Sequence, residues 1–314
     1  MFPQKMSYCD LHCDVLTQTK DKQITRQSLE AGGCLVQCFA AFVTAKKERF
    51  QAVNRLIDDF YALCETERYN PVTSYGQIDP GKINAILTVE EGGALEGNLQ
   101  NLDYLYERGV RMLGLMWNYP NEIGFPNFPD YDGFFTGRAS FSDREGRGLT
   151  PFGHEVVCKM QRIGMIVDAA HASDGVFSDI AQESMRAGIP FCVSHTGANS
   201  VFSCARNLTD EQIRMLADVG GVAGLYFCAD FLSQDDSAEG QRAAVLAHAQ
   251  RFLDEGGEDI LMLGSDFDGI PPNAFLPSPA ALPVLYDDFV KSFGSRIADK
   301  IFYKNALDFF KRML

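Results

Sequence analysis

Short apolar runs of strand length alternate with segments of helical spacing along nearly all of this 314-residue chain, and that alternation restricts its fold more than any other feature. The runs begin at Tyr8 and recur at Cys34–Val43, Ile83–Val89, Met112–Trp117, Met165–Ala170, Pro190–Ser194, Gly221–Phe227 and Ile260–Gly264. Between the second and third runs, a charged stretch at 48–65 places Phe50, Val53, Leu56, Ile57, Phe60 and Leu63 at helical spacing. Further helices are expected near 101–108, 150–162, 176–187, 210–219, 241–254, 282–293 and 295–310. Thr150-Pro151 and Thr209-Asp210-Glu211 supply helix starts, a capping hydroxyl followed by proline or by acid in the first turn. Strand then helix, eight times over, predicts parallel pairing and an α/β fold closed as a (β/α)8 TIM barrel, one domain over 1–314. An open doubly wound sheet is the alternative, but no Gly-rich dinucleotide turn follows the first run. Two segments break the rhythm, 118–149 and 267–283. Both follow strands, so both should lie over the C-terminal mouth, where long loops usually carry function.

Composition narrows the class of partner. A formal charge of −14 leaves no clustered Lys and Arg to meet a polyanion, so nucleic acid is not an expected partner. No run approaches the roughly 18 apolar residues of a membrane span, and the first strand starts too early to leave room for a secretory leader. The nine cysteines are scattered through strand-like runs rather than spaced as a disulfide framework, and read as reduced, buried apolar groups. A cytoplasmic enzyme without a membrane partner is the expectation.

The titratable residues then fall into place. In an extended Tyr8–Asp14 segment, alternation would put Asp10, His12 and Asp14 on one face and Cys9, Leu11 and Cys13 on the other. An imidazole and two carboxylates on a buried face call for a compensating cation, and His-x-Asp suits zinc. Glu90-Glu91-Gly92-Gly93 closes the third strand, His171 follows the fifth, Ser194-His195 closes the sixth, and Asp266 closes the eighth. All reach the same rim. Three imidazoles and several carboxylates suit two divalent ions better than one, with a carboxylate bridging them. Alternation lets only one of Glu90 and Glu91 face inward, and Gly92 beside Glu91 favours Glu91 as the bridge. His154 and His248 sit in helices, where solvated or capping roles are expected.

At these residues the chain resembles the renal or membrane dipeptidase family of dinuclear zinc peptidases on the amidohydrolase barrel. The resemblance rests on Asp10-x-His12-x-Asp14, Val89-Glu-Glu-Gly-Gly93, Gly148-Leu-Thr-Pro-Phe-Gly153, Ser194-His195, Arg206-Asn207-Leu-Thr-Asp210 and Gly264-Ser-Asp-Phe-Asp-Gly269. It implies two zinc ions, one on His12, Asp14 and Glu91, the other on Glu91, His171 and His195. It further implies that Arg206, with Asn207 beside it, binds the substrate carboxylate, that Asp266 handles protons, and that Asp10 stands behind the ligands. Hydrolysis of free dipeptides by a metal-bridging hydroxide is the implied reaction, and a homodimer the implied assembly. Mammalian members carry Thr-His-Asn where this chain has Met116-Trp117-Asn118, so Trp117 is expected to contact substrate in place of a histidine. The absence of leader and anchor signals resembles the bacterial cytoplasmic members. Two rival readings use the same rim. One is another amidohydrolase activity, such as a cyclic amidase or deaminase; the other is a non-catalytic binding protein on the same barrel.

Overall fold

A computed structural model describes residues 6–44 and 48–314. Its strands are β1 (Tyr8–Asp10), β2 (Cys34–Phe42), β3 (Asn70–Pro71), β4 (Asn84–Glu90), β5 (Met112–Gly114), β6 (Ile166–Asp168), β7 (Cys192–Thr196), β8 (Val222–Leu225) and β9 (Leu261–Leu263). All pairings between them are parallel, in the order β2-β1-β9-β8-β7-β6-β5-β4, and a β2–β4 ladder closes the ring. β3 adds two residues beside the start of β4. The closed eight-stranded parallel barrel is therefore the one the alternation predicts.

Helices α1 (Arg26–Gly32), α2 (Arg49–Glu67), α3 (Gln100–Glu107), α4 (Tyr131–Phe134), α5 (Pro151–Ile163) and α6 (Asp174–Ala187) cover the first half. In the second half come α7 (Asp210–Asp218), α8 (Ala229–Leu232), α9 (Ala238–Gly256), α10 (Leu282–Phe293), α11 (Ser295–Asp299) and α12 (Asn305–Met313). The caps read from sequence are present: Thr150 accepts from the Gly153 N–H, and Thr209 forms a reciprocal box with Gln212. The single terminal helix expected over 295–310 is instead α11, a π-helical turn at Lys300–Lys304, and α12.

Side chains of the strands sort by alternation into two apolar layers. Ala85, Leu87 and Val89 of β4 pack outward with Val53, Ile57 and Phe60 of α2. Ile86 points into the barrel with Cys9, Val36, Met112 and Met262, and α12 closes that layer from below with Phe309 and Phe310. The first strand departs from the sequence expectation. It ends at Asp10 and the chain bends at Leu11, so Cys9 and Leu11 face the interior while Cys13 lies in the outer layer. Strand period no longer holds beyond the bend, and Asp10 turns away from His12 and Asp14.

Candidate metal centre

Six side chains from five strand ends converge at the C-terminal mouth. His12 Nε2 lies 3.2 Å from Asp14 Oδ2, 3.3 Å from Glu90 Oε2 and 3.8 Å from Asp266 Oδ1. His171 Nε2 lies 3.0 Å from Glu90 Oε1 and 3.0 Å from His195 Nε2, which is itself 3.8 Å from the same Glu90 oxygen. One oxygen of Glu90 thus faces the His12–Asp14 pair and the other faces His171 and His195. His12, Asp14 and Glu90 form one triad able to hold an ion, Glu90, His171 and His195 a second, and His12, His195 and Asp266 a third. A tetrahedral zinc with ligands at about 2.0–2.1 Å would set neighbouring donor atoms roughly 3.3 Å apart, the spacing of these groups.

The chemistry of the donors also fits a cation. Asp14 Oδ1 is buried and has no hydrogen-bond partner. Three carboxylates, of Asp14, Glu90 and Asp266, share one small volume with little solvent. Burial pushes the Asp266 carboxyl well above the usual range, with His12 acting against it. Burial raises Asp14 too, while for Glu90 the attraction of His12 and His171 overcomes burial and holds it well below. His12 is buried, yet Asp14 and Glu90 raise its pKa well above the ordinary value.

Bonds made behind the cluster set the imidazoles. Asn118 Oδ1 lies 2.8 Å from His171 Nδ1, so that nitrogen carries the proton and Nε2 presents its lone pair to the cluster. Ser194 Oγ donates to Asp168 Oδ2 at 2.6 Å and lies 2.8 Å from His195 Nδ1, fixing the same tautomer there. Burial and the nearby Arg206 lower His171 to about 4, and burial with His12 keeps His195 well below its usual value. Two neutral imidazoles therefore aim lone pairs at each other across 3.0 Å. A cation between them turns a repulsion into two bonds. Asp10 repeats the Asp168 arrangement at the β1–β9 seam: it accepts from Ser265 N and Oγ, from Gln37 Nε2 and from the His12 amide.

Backbone conformation makes the convergence possible. His171 and Asp266 both adopt φ of 64°, and Glu91 adopts 85°, in the left-handed region that non-glycine residues seldom occupy. A Cβ on Gly269 would collide with the carboxylate oxygens of Asp14 and Asp266, so only glycine lets this loop close over them.

The residues expected from sequence are not all placed as expected. Glu90, not Glu91, faces the cluster. Glu90 is the last residue of β4 and keeps the inward parity of Ile86, whereas Glu91 has left the strand. The Glu91 carboxylate accepts from Gly93 N at 2.7 Å, Trp117 N at 3.1 Å and Asn121 Nδ2 at 2.7 Å. Asn207 is fully buried and bonds the carbonyls of Phe202 and Phe231 and the Tyr226 hydroxyl, which leaves nothing for substrate. Asp10 is outside the ligand cluster and steadies the backbone of His12. His248 is fully buried rather than solvated: its Nδ1 accepts from Ala198 N and its Nε2 faces the Leu232 carbonyl. His154 is half exposed beside Glu183. Sequence reading passed over Asn118, Ser194 as a relay, and Asp168.

Two predicted positions lie beside the cluster. Trp117 helps line a cavity of about 190 Å³ with Phe42, Glu90, His171, His195 and Asp266, its ring 5.1 Å from Phe42 and 6.2 Å from His171. Arg206 is buried, with Nη2 3.2 Å from His171 Nε2 and 3.4 Å from the His195 carbonyl. Among the described residues no carboxylate pairs with it within 4 Å.

A parallel eight-stranded barrel with imidazoles and carboxylates gathered at its C-terminal rim has the make-up of a metal-dependent barrel enzyme. Residues 4–313 match the membrane dipeptidase family, peptidase family M19, and the chain belongs to that family; it is an enzyme of the metallo-dipeptidase class. It is 31% identical over 234 residues, 72% of this chain and 80% of the other, to an uncharacterised protein in the pqqA 5′ region of Klebsiella pneumoniae. Among solved structures it is similar to a metallo peptidase of family M19 described as dipeptidase AC, at 23% identity and a TM-score of 0.85 over 98% of both chains. A metallo peptidase from Rhodobacter sphaeroides, bound to a phosphinate mimic of L-Ala-D-Ala, gives 23% identity and a TM-score of 0.85 over 98% of this chain and 99% of that one. Among the described residues no helix is long and apolar enough to cross a membrane.

Proposed function

We propose that this enzyme hydrolyses the peptide bond of free dipeptides using two zinc ions, one held by His12, Asp14 and Glu90 and the other by Glu90, His171 and His195. When bound, the ions supply an activated water and polarise the scissile carbonyl. Asp266, beside His12 and pinned under Gly269, accepts the proton of the attacking water and passes it to the leaving amine. Asn118 and Ser194 keep the lone pairs of His171 and His195 on the reacting side. Trp117 walls the cavity against the substrate side chain.

The observation that carries the dipeptide reading is Arg206, a buried guanidinium at the cluster with no carboxylate paired to it among the described residues. Its planar fork suits a carboxylate, and a free dipeptide brings one within reach of the scissile bond. A longer peptide would set a neutral amide there and leave a desolvated charge unpaired, which costs a few kcal/mol, or about 10²-fold in rate. A cyclic amide or a nucleobase has no use for the cation. The nine unpaired cysteines support a reducing, cytoplasmic setting.

The test is a metal analysis of the purified protein together with a panel of dipeptides, their C-terminal amides and N-acyl amino acids. Two zinc ions per chain are expected, with free dipeptides cleaved about 10²-fold faster than their C-terminal amides. Equal cleavage of acid and amide would overturn the carboxylate anchor and favour the cyclic-amidase alternative.

A further inference from the structure

Arg206 is carried on a loop, so something must hold that loop still. Its own carbonyl accepts from Thr196 Oγ1 at 2.9 Å, next to His195. The strongest remaining fastening comes from far along the chain, in the long segment over the mouth. Arg144 forms a two-pronged pair with Asp174, Nε to Oδ2 at 2.8 Å and Nη2 to Oδ1 at 2.6 Å. Its Nη1 donates to the Asn207 carbonyl at 3.1 Å and reaches the Cys204 carbonyl at 3.5 Å, on either side of Arg206. Gln212 completes the knot, receiving from Arg144 Nη2 at 3.1 Å and donating to Asp174 Oδ1 at 3.0 Å. A further bond, Ala205 N to the Phe141 carbonyl at 2.6 Å, fastens the same two segments.

Asp174 opens α6, three residues beyond His171, so one guanidinium ties the backbone around Arg206 to the element that follows a candidate metal ligand. The side chain of Asn207 holds the loop from its other face through Tyr226. We propose that Arg144 is a positioning residue that sets the enzyme's preference for a free carboxylate by fixing where the Arg206 guanidinium lies. This rests on the dipeptidase reading above. A planar fork loses its paired geometry when displaced by about 1 Å, whereas a neutral amide makes no such pair and is indifferent to the displacement. The effect of losing Arg144 should therefore fall on substrate acids and spare amides.

Arg144→Met keeps the stem length and removes every donor. With both metals retained, it should raise KM for a free dipeptide about tenfold, leave kcat within about threefold, and leave the C-terminal amide unaffected. Arg144→Lys, which retains a charge for Asp174 and one reach to the carbonyls, should recover part of the loss. Binding gives a second readout that needs no turnover, because Trp117 is the only tryptophan and stands beside His171. Titrating its fluorescence with N-acetylalanine and N-acetylalanine amide should give a tighter Kd for the acid in the wild type, and a ratio about tenfold smaller in Arg144→Met. Equal weakening of acid and amide, or an unchanged ratio in folded Arg144→Met and Arg144→Lys, overturns the proposal. A wild-type protein that cleaves no dipeptide but shows the Arg144-dependent binding ratio would sink the dipeptidase reading and leave the positioning role standing.

Discussion

Glu90 and Glu91 are adjacent, both acidic and both buried, yet only Glu90 faces the ligand cluster. Glu90→Gln removes the charge shared by the two triads and should strip both ions, measured as zinc per chain. Glu91→Gln should keep both ions and cost stability instead, about 1–3 kcal/mol, because an amide N–H₂ replaces an oxygen that now accepts from Gly93, Trp117 or Asn121. A lowered melting temperature with full metal content would show it; the reverse pattern would return the bridge to Glu91. The parity was legible in the sequence, since Ile86 points inward and Glu90 lies four residues on, but the glycines after Glu91 drew attention to the wrong neighbour. What no sequence pattern announces is the left-handed turn at Glu91 that rotates its carboxylate out of the site. Asp266→Asn tests proton handling: turnover should fall by roughly 10²–10⁴-fold while zinc content holds. Zinc lost along with activity would make Asp266 a structural ligand.

At the level of elements, neighbouring strands around the barrel lock each other through a buried aspartate and a serine hydroxyl. β6 and β7 do so through Asp168 and Ser194, and β1 and the turn after β9 through Asp10 and Ser265. The first of these pairs acts on a candidate ligand directly. Ser194→Ala removes the oxygen that receives the His195 Nδ1 proton, and should weaken zinc binding about 10–100-fold in a chelator competition, in addition to destabilising the zinc-free protein by roughly 1–3 kcal/mol because Asp168 Oδ2 loses its donor. An unchanged zinc affinity would mean that His195 keeps its tautomer unaided. Strand and helix order, and the caps at Thr150 and Thr209, could be read directly, because periodicity and capping chemistry are local. The Asp–Ser pairs could not, since their partners are far apart in sequence and each residue alone resembles an ordinary polar strand end. The bend at Leu11 escaped for a related reason: strand alternation assumes a strand, and β1 stops three residues after it begins.

Over the whole molecule, His248 links α9 to the loop after β7 and to α8, and its burial lowers its pKa to about 4. The folded protein keeps this imidazole neutral while the unfolded chain takes up a proton near pH 6.5. Its contribution is therefore complete above about pH 6.5 and is lost as pH falls towards 4, a difference of about 3 kcal/mol, with about 2 kcal/mol gone by pH 5. His248→Asn retains an acceptor for Ala198 and does not titrate, so the stability gap between wild type and variant in urea melts should narrow from pH 7 to pH 5. A constant gap would show that His248 is not the group responsible. The pattern of eight units predicted the closed ring but not the side chains that fasten its first strand to its last. Asp10 and Ser265 do so, 255 residues apart. During synthesis, His12, Asp14, Glu90, His171 and His195 all leave the ribosome before the strand that brings Asp266. On the roles proposed above, a chain grown only as far as β8 would carry its candidate cation-binding groups on a sheet with open edges at β1 and β8, and would still lack the Asp266 carboxylate. The last strand to emerge closes the ring and delivers Asp266 in the same step, so a chain cut short there would expose two strand edges and, on the role proposed for Asp266, would lack its proton carrier.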